Sequence, residues 1–393
     1  MNRRFYELCE TGTPQQIEAT LSIGADIEAP DNGGRTPLMY AADSNADPGA
    51  TRVLLRNGAS VKAQNIFGWT ALTYAAKNNN HYVIAELLAG GADIEARANR
   101  GKTPLMYAAT WNKNPKAIAE LLKGGASIET QDEGKETALM HAAKNNNPDV
   151  IAVLLEGGAD VRTRDGGGRT ALMLAAWENA DPGVISALLK AGADIEARDD
   201  GEETALMYAA RNDNPQIVAA LLKAGADIEA RDKDGWGALI FAVRYNSLEV
   251  IAALLKGGAS IEALDGDGWT PLMHAARSNS DPDVIFALLE SGANIEARDK
   301  NDWTPLMIAA WHNSNPRVVS ALLKGGADIE KRDNSGRTPL MYAAAWSENP
   351  EVVATLLDAG ADAKLKDKAG LMAIDYVRKN PQLRDTDVTR RLL

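Results

Sequence analysis

The eight residues RTPLMYAA, at positions 35 to 42, return in close variants nine more times along the 393-residue chain. Aligned on T-[PA]-L-[MT]-x-A-A, the first position falls at Thr36, Thr70, Thr103, Thr137, Thr170, Thr204, Gly237, Thr270, Thr304 and Thr338, in steps of 33 or 34. The extra residue always enters between the double alanine and the next Asp-Pro or Asn-Pro, as in DSNADP (43 to 48) against KNNNP (144 to 148). A fixed period of this length overrides the two or three domains that length alone suggests, because each unit is one supersecondary element that buries its apolar face only by stacking on neighbours.

Each period reads as a helix-turn-helix followed by a turn. Thr is a good N-cap, and the Pro that often follows it (Pro37, Pro104, Pro271, Pro305, Pro339) suits the first helical position, where its missing N–H is not needed. A second helix is announced by Asp or Asn before Pro, as at Asp47-Pro48, Asn114-Pro115, Asn147-Pro148 and Asn349-Pro350, and its apolar spacing, as in VIAVLL (150 to 155), turns one face to the same core. It stops at GG, AG or SG, where glycine accepts the left-handed conformation of a helix end. The run GADIEARD then extends into a turn, usually with Gly just before the next unit, as at Gly34, Gly68, Gly168, Gly235, Gly268 and Gly336.

These residues resemble the ankyrin-repeat family, whose D-x-x-G-x-TPLHxAA … LLxxGAD pattern is matched by ten successive units, for example DGDGWTPLMHAA (265 to 276) followed by VIFALLESGANIEA (284 to 297). The resemblance implies an all-α solenoid of stacked antiparallel helix pairs with turn or β-hairpin fingers projecting to one side. It covers ten repeats at 35–370, between a capping repeat at 1–34, which lacks the TPL signature and offers Arg3 and Arg4 to solvent, and a second cap at 371–393. It also implies a non-catalytic interaction protein.

Composition narrows the partners. The formal net charge of −12, spread along the chain, argues against bulk attraction to duplex nucleic acid or an anionic membrane. One cysteine, Cys9, forms no intramolecular disulfide and suggests a reducing, cytoplasmic compartment, with export as an effector left open. No segment is apolar for long enough to span a membrane. His81, His141, His274 and His312 are scattered without metal-ligand spacing, so neither a metal nor a cofactor is expected. DGDG (265 to 268) lacks the flanking acids of a calcium loop, and phosphate-loop and serine-nucleophile strings are absent.

Binding chemistry is then sought in what the scaffold leaves free. Of eight tryptophans, Trp69, Trp236, Trp269 and Trp303 hold the tip position just before the Thr. Trp111, Trp177, Trp311 and Trp346 hold the two places after the double alanine, at the end of the first helix. In ankyrin repeats both classes face the concave groove. The tip tryptophans have two readings, as groove contacts or as rings laid over a neighbouring turn to stabilise the stack. The column Trp236, Trp269, Trp303 favours the first, and Arg211, Arg244 and Arg277, with Tyr245 beside them, form a parallel column of residue types enriched at binding hot spots. Trp311, His312 and Trp346 make a second focus. This basic and aromatic strip suits an acidic or phosphorylated protein segment bound by a monomer, or else a small anionic, aromatic ligand such as a nucleotide. Arg at helix ends also complements the helix dipole, which is the bland alternative.

Two further columns read as scaffold. Glu28, Glu95, Glu129, Glu196, Glu229, Glu262, Glu296 and Glu330, with Arg97, Arg198, Arg231, Arg298 and Arg332 two places after the repeat's Glu, suggest an inter-repeat ion-pair ladder. Met stands eight times in ten where the family's TPLH motif has a histidine that bonds neighbouring backbone; a thioether cannot do this in the usual way, so a packed Met ridge is expected, with water or other side chains satisfying the freed groups.

Overall fold

The computed structural model describes residues 2–78, 80–145, 147–179, 181–245, 247–278 and 281–393, and among these it contains 24 α-helices and no strand. The chain forms two compact blocks, residues 1–200 and 201–393. In the first block the helix pairs are Asn2–Thr11 with Pro14–Ser22, Pro37–Ser44 with Pro48–Arg56, Ala71–Lys77 with His81–Ala89, Pro104–Trp111 with Pro115–Lys123, Ala138–Asn145 with Pro148–Glu156, and Ala171–Glu178 with Pro182–Lys190. In the second they are Ala205–Arg211 with Pro215–Lys223, Ala238–Tyr245 with Leu248–Lys256, Pro271–Ser278 with Pro282–Glu290, Pro305–His312 with Pro316–Lys324, Pro339–Trp346 with Pro350–Asp358, and Ala373–Val377 with Asp387–Arg391. Within each block first helices pack on first helices and second on second.

Local chemistry sets these boundaries. Thr Oγ1 accepts the N–H three residues on, from Met39 at 3.4 Å to Met273 at 3.3 Å, and Asp47, Asn114 and Asn349 cap the second helices at 2.8, 3.0 and 3.0 Å. The second helices end on glycines in the left-handed region, such as Gly158 at φ 95°. Leu, Ile and Val of both helices are buried between neighbouring pairs, and Arg3 and Arg4 are exposed on the first.

The eight repeat methionines are buried as expected, each at most 1% exposed. The sulfur nevertheless does part of the imidazole's work: Met106, Met173 and Met207 Sδ accept the N–H of Thr103, Thr170 and Thr204 at 3.4, 3.4 and 3.5 Å. The thioether is a weak acceptor, but it lies where the capping-box side chain belongs.

The ion-pair ladder is a correction. Glu28, Glu95, Glu129, Glu229, Glu262, Glu296 and Glu330 accept backbone N–H groups of the following repeat, at 2.5 to 2.9 Å, from Ser60, Ser127, Asp160, Ser260, Asn294, Asp328 and Asp362. Arg97, Arg164, Arg231 and Arg332 each donate to a carbonyl in their own turn and to one in the next repeat, Gln131 O at 3.1 Å and Lys366 O at 2.8 Å among them. Charged side chains bond orphan backbone groups here, and Lys331 to Glu296 at 3.4 Å adds an ion pair. A buried asparagine past each of several first helices completes the stack, Asn179 Nδ2 donating to Ala143 O at 2.8 Å and Asn313 Nδ2 to Ala276 O at 3.0 Å.

Candidate interaction face

Most fingers are built on a side chain nine residues before the ring position, the place after the Met. In most units that anchor is Asp. Asp265 Oδ1 accepts the N–H of Asp267 at 2.9 Å and of Trp269 at 2.8 Å, which folds the turn and sets the tip residue. Its Oδ2 meets His274 Nε2 at 2.8 Å, and Tyr40 to Asp31, His141 to Asp132 and Tyr342 to Asp333 repeat the bond at 2.6, 3.0 and 2.7 Å.

Ring chemistry decides the charge state of the anchor. Burial pushes Asp31 up, but the Tyr40 phenol and the N–H groups of Arg35 and Gly33 outweigh it and hold the carboxyl below its ordinary range. Asp232 faces Phe241, which offers no donor; burial dominates there and pushes its carboxyl up. Burial likewise pushes His274 below the ordinary imidazole range, against the pull of Asp265 and with the help of Arg244 and Arg277.

The tip tryptophans pack into this spine of rings. Trp236 lies edge-to-face on Phe241 at 5.5 Å and on His274 of the next unit at 5.3 Å, Trp269 is tilted on His274 at 5.5 Å, and Trp303 meets Tyr342 at 5.4 Å. Trp69 bridges Tyr74 and Tyr107 in the same way at 5.0 and 4.7 Å. All four are half-buried, so stack stabilisation is one thing that these rings do, at about 0.5–1.5 kcal/mol per aromatic pair.

The tip and the residue eight places later form a pair, a relation that reading each column separately misses. Arg35 meets Asp43 at 2.7 Å, Glu136 meets Lys144, and Glu203 meets Arg211. At three of the four Trp tips a cation lies over the indole: Lys77 over Trp69 at 5.5 Å, Arg244 over Trp236 at 4.6 Å, Arg277 over Trp269 at 5.4 Å. Arg169 lies over Trp177 at 5.7 Å with the roles reversed, and Trp303 meets Trp311 edge-to-face at 4.8 Å. The Trp and Arg columns therefore join within each repeat as well as running along the block.

The members differ in what they leave free. Arg211 is half-buried, bonded to Glu203 and stacked on Phe241 at 4.3 Å. Arg244, half-buried, and Arg277, exposed, have no carboxylate partner among the described residues, and Tyr245 beside Arg244 is 59% exposed. The second focus assembles too: Trp311 contacts His312 at 4.2 Å and Trp346 at 5.0 Å, with Arg337 over Trp346 at 5.3 Å. Trp346 is 40% exposed, while burial and the charge of Arg277 push His312 below the usual imidazole range. Trp69, Trp111 and Trp177 stand in the first block, the last two exposed, and have no place in this cluster.

Asp132, Glu136 and His141 bring three possible metal-ligand atoms within 4.8 Å. Each holds a repeat position with a scaffold job: Asp132 and His141 are anchor and ring, and Glu136 is a tip residue paired with Lys144, whose ammonium competes with a cation.

No described helix is long and apolar enough to cross a membrane. Comparison with curated proteins finds no match. The family described as Ankyrin repeats (3 copies) matches residues 44–132, 109–199, 178–265, 206–299 and 272–367, most of the chain, and such repeats are protein-interaction modules. With paired helices, capped fingers and a constant period already in place, the chain belongs to the ankyrin-repeat family.

Proposed function

We propose that this is a non-catalytic protein whose second block docks a partner protein through Arg244, Arg277 and Tyr245, on the footing of Trp236 and Trp269, with Trp303, Trp311, His312 and Trp346 extending the face. The partner presents an acidic or phosphorylated segment. One observation carries this reading: Arg244 and Arg277 lie on indoles with no carboxylate partner among the described residues, whereas Arg35, Lys144 and Arg211, at paired positions of other units, are each neutralised by an acid. A guanidinium held over a ring is pre-oriented, and a carboxylate or phosphate can take it bidentately. Trp111 and Trp177 are separate, exposed contact points of the first block.

In this reading residues 1–34 and 371–393 cap the ends, the protein is a monomer of a reducing, cytoplasmic compartment, and Cys9, buried with its thiol pushed up to about 12, takes no part. The test is fluorescence anisotropy of a labelled Asp- and phosphoserine-rich peptide. Wild-type protein binds it with an affinity that falls as salt rises, and Arg244→Glu with Arg277→Glu loses at least about tenfold. Equal binding by the double variant refutes the reading.

A further inference from the structure

The longest stretch of the chain without Asp or Glu is residues 48–85, more than one full repeat, and it carries Arg52, Arg56, Lys62 and Lys77. Residues 86–119 add only Glu86, Asp93 and Glu95, against Arg97, Arg100, Lys102, Lys113 and Lys116. All three acids are engaged. Glu86 accepts Arg52 Nε–H at 3.0 Å, Asp93 accepts the Glu95 N–H at 3.0 Å, and Glu95 accepts the Ser127 N–H at 2.7 Å and the Thr130 hydroxyl at 3.2 Å. Repeat positions that are acidic elsewhere change here: Lys62 stands where Glu28 and Glu95 bond the following repeat, and the anchor Asp becomes Asn65 in one finger and Ala98 in the next. Asn65 Oδ1 still accepts the N–H groups of Phe67 and Trp69, each at 2.9 Å, and its Nδ2 donates to the Tyr74 hydroxyl at 2.9 Å. The turn is kept and the charge is given up.

The same finger ends in an apolar pair. Ile66 is 67% and Phe67 52% exposed, whereas the corresponding places of the neighbouring fingers hold Asn32 and Gly33, Asn99 and Arg100, and Glu133 and Gly134. Backbone fixes this tip on both sides. Ile66 N–H donates to Gly33 O and Asn99 N–H to Phe67 O, both at 3.1 Å, and Gly68 N–H closes the turn on Asn65 O at 2.9 Å. A tip held in this way has little order left to lose on binding. Gly33 leaves one flank bare, and on the other Arg100 is exposed, as is Lys62 at the base of the turn; neither cation has a carboxylate partner among the described residues. Acids bound the patch: Asp31 in the preceding finger is taken up by Tyr40, Gly33 and Arg35, and beyond Arg100 the acidic row resumes at Glu133.

We propose that the finger tip at 65–69, flanked by Lys62 and Arg100, docks a protein segment in which apolar side chains are interleaved with carboxylates. Two large apolar side chains side by side in water mark an interaction site, and their burial supplies the attraction. Charge complementarity selects the segment, because the cations beside the tip have no acid of their own and a partner's carboxylates complete them. An acidic segment without apolar side chains would leave Ile66 and Phe67 in water, so both chemistries are required. A bilayer fits less well: two side chains bury less apolar surface than one acyl chain, which by itself anchors marginally, and the net charge of −12 opposes an anionic surface. This face lies in the first block and shares no residue with the docking face of Arg244 and Arg277.

The experiment measures anisotropy of two labelled peptides of equal charge with the full-length protein, one interleaving Leu and Phe with Asp and Glu, the other with Ser in place of Leu and Phe. The apolar peptide should bind at least about tenfold more tightly, the scale of burying one large apolar side chain. Ile66→Ser with Phe67→Ser should erase that preference, and Lys62→Gln with Arg100→Gln should weaken the apolar peptide at least about fivefold. Both variants should unfold at the wild-type midpoint, because all four side chains are exposed. No preference between the peptides in wild type overturns the proposal, as does a preference that survives the double Ser variant. Co-sedimentation of wild type with phosphatidylserine vesicles, lost in that variant, overturns it in favour of a bilayer. Arg244→Glu with Arg277→Glu leaves this face intact and should keep the preference, so failure here is distinguished from failure of the second-block docking face.

Discussion

The two blocks share one scaffold and differ at one pair of positions. In residues 1–200 two of the five units pair opposite charges at the tip and eight places on, Arg35 with Asp43 and Glu136 with Lys144, and two set a cation against an indole, Lys77 over Trp69 and Arg169 over Trp177. In residues 201–393 the opposite-charge pair holds only at Glu203 with Arg211, and the next three units carry Trp236 with Arg244, Trp269 with Arg277 and Trp303 with Trp311. Both solutions keep a finger against its helix, so the scaffold asks for complementarity and not for particular residues. What distinguishes them is the remainder: an ion pair cancels its charge, whereas a guanidinium on an indole leaves its charge for something else.

The comparison can be sharpened first where the blocks should behave alike. Asn179→Ala and Asn313→Ala each strand a buried carbonyl of the preceding repeat, and each should cost about 2 kcal/mol in denaturant unfolding. Unequal losses would mean that the blocks are not built on the same stack. Charge reversal should then separate them: Arg211→Glu places like charges together at a half-buried pair and should cost about 1–2 kcal/mol, while Arg244→Glu, with no acid opposite, should cost less than about 1 kcal/mol. Similar losses at the two sites would break the distinction between paired and unpaired guanidiniums.

Phe241→Tyr should gain about 1 kcal/mol at neutral pH by giving Asp232 the donor that Asp31 has in Tyr40. The pH dependence has a definite sign. Because the folded pKa of Asp232 is raised above 3.8, wild type is favoured below that value and loses that contribution as pH rises through the folded pKa; the variant should lose less across the same window. Parallel stability curves for variant and wild type would contradict the burial argument. The smallest effect is expected at Asp302, which stands at φ 70° where Gly34 and Gly268 stand in their own units. Asp302→Gly should gain about 0.5 kcal/mol, less whatever the exposed Arg298 pair contributes, as a small rise in thermal midpoint.

Much of this was legible in the sequence. Period, caps and left-handed glycines follow from Thr, Asn-Pro and Gly at constant spacing, and the family pattern supplied the rest of the fold. The ion-pair ladder failed because a sequence displays charges but not the orphan N–H and C=O groups of turns, and it is these that Glu95 and Arg97 bond. The tip tryptophans were found, but not their depth, since the burial of Trp236 depends on a ring, His274, that is 38 residues away and belongs to the next unit. The pairing at eight residues was there to be found: Arg with Asp, Glu with Lys and Trp with Arg recur at one spacing, but they show only when each unit is read for its partner and not for its column.

The central claim is that binding follows guanidiniums that the fold leaves without an acid. Anisotropy titrations of the labelled acidic peptide against Arg35→Glu and Arg244→Glu test it directly, one substitution per block at the same kind of tip pair. The account predicts peptide affinity near wild type for Arg35→Glu, whose charge is already matched by Asp43, and a loss of about tenfold or more for Arg244→Glu. Equal losses, or a greater loss at Arg35, would contradict it.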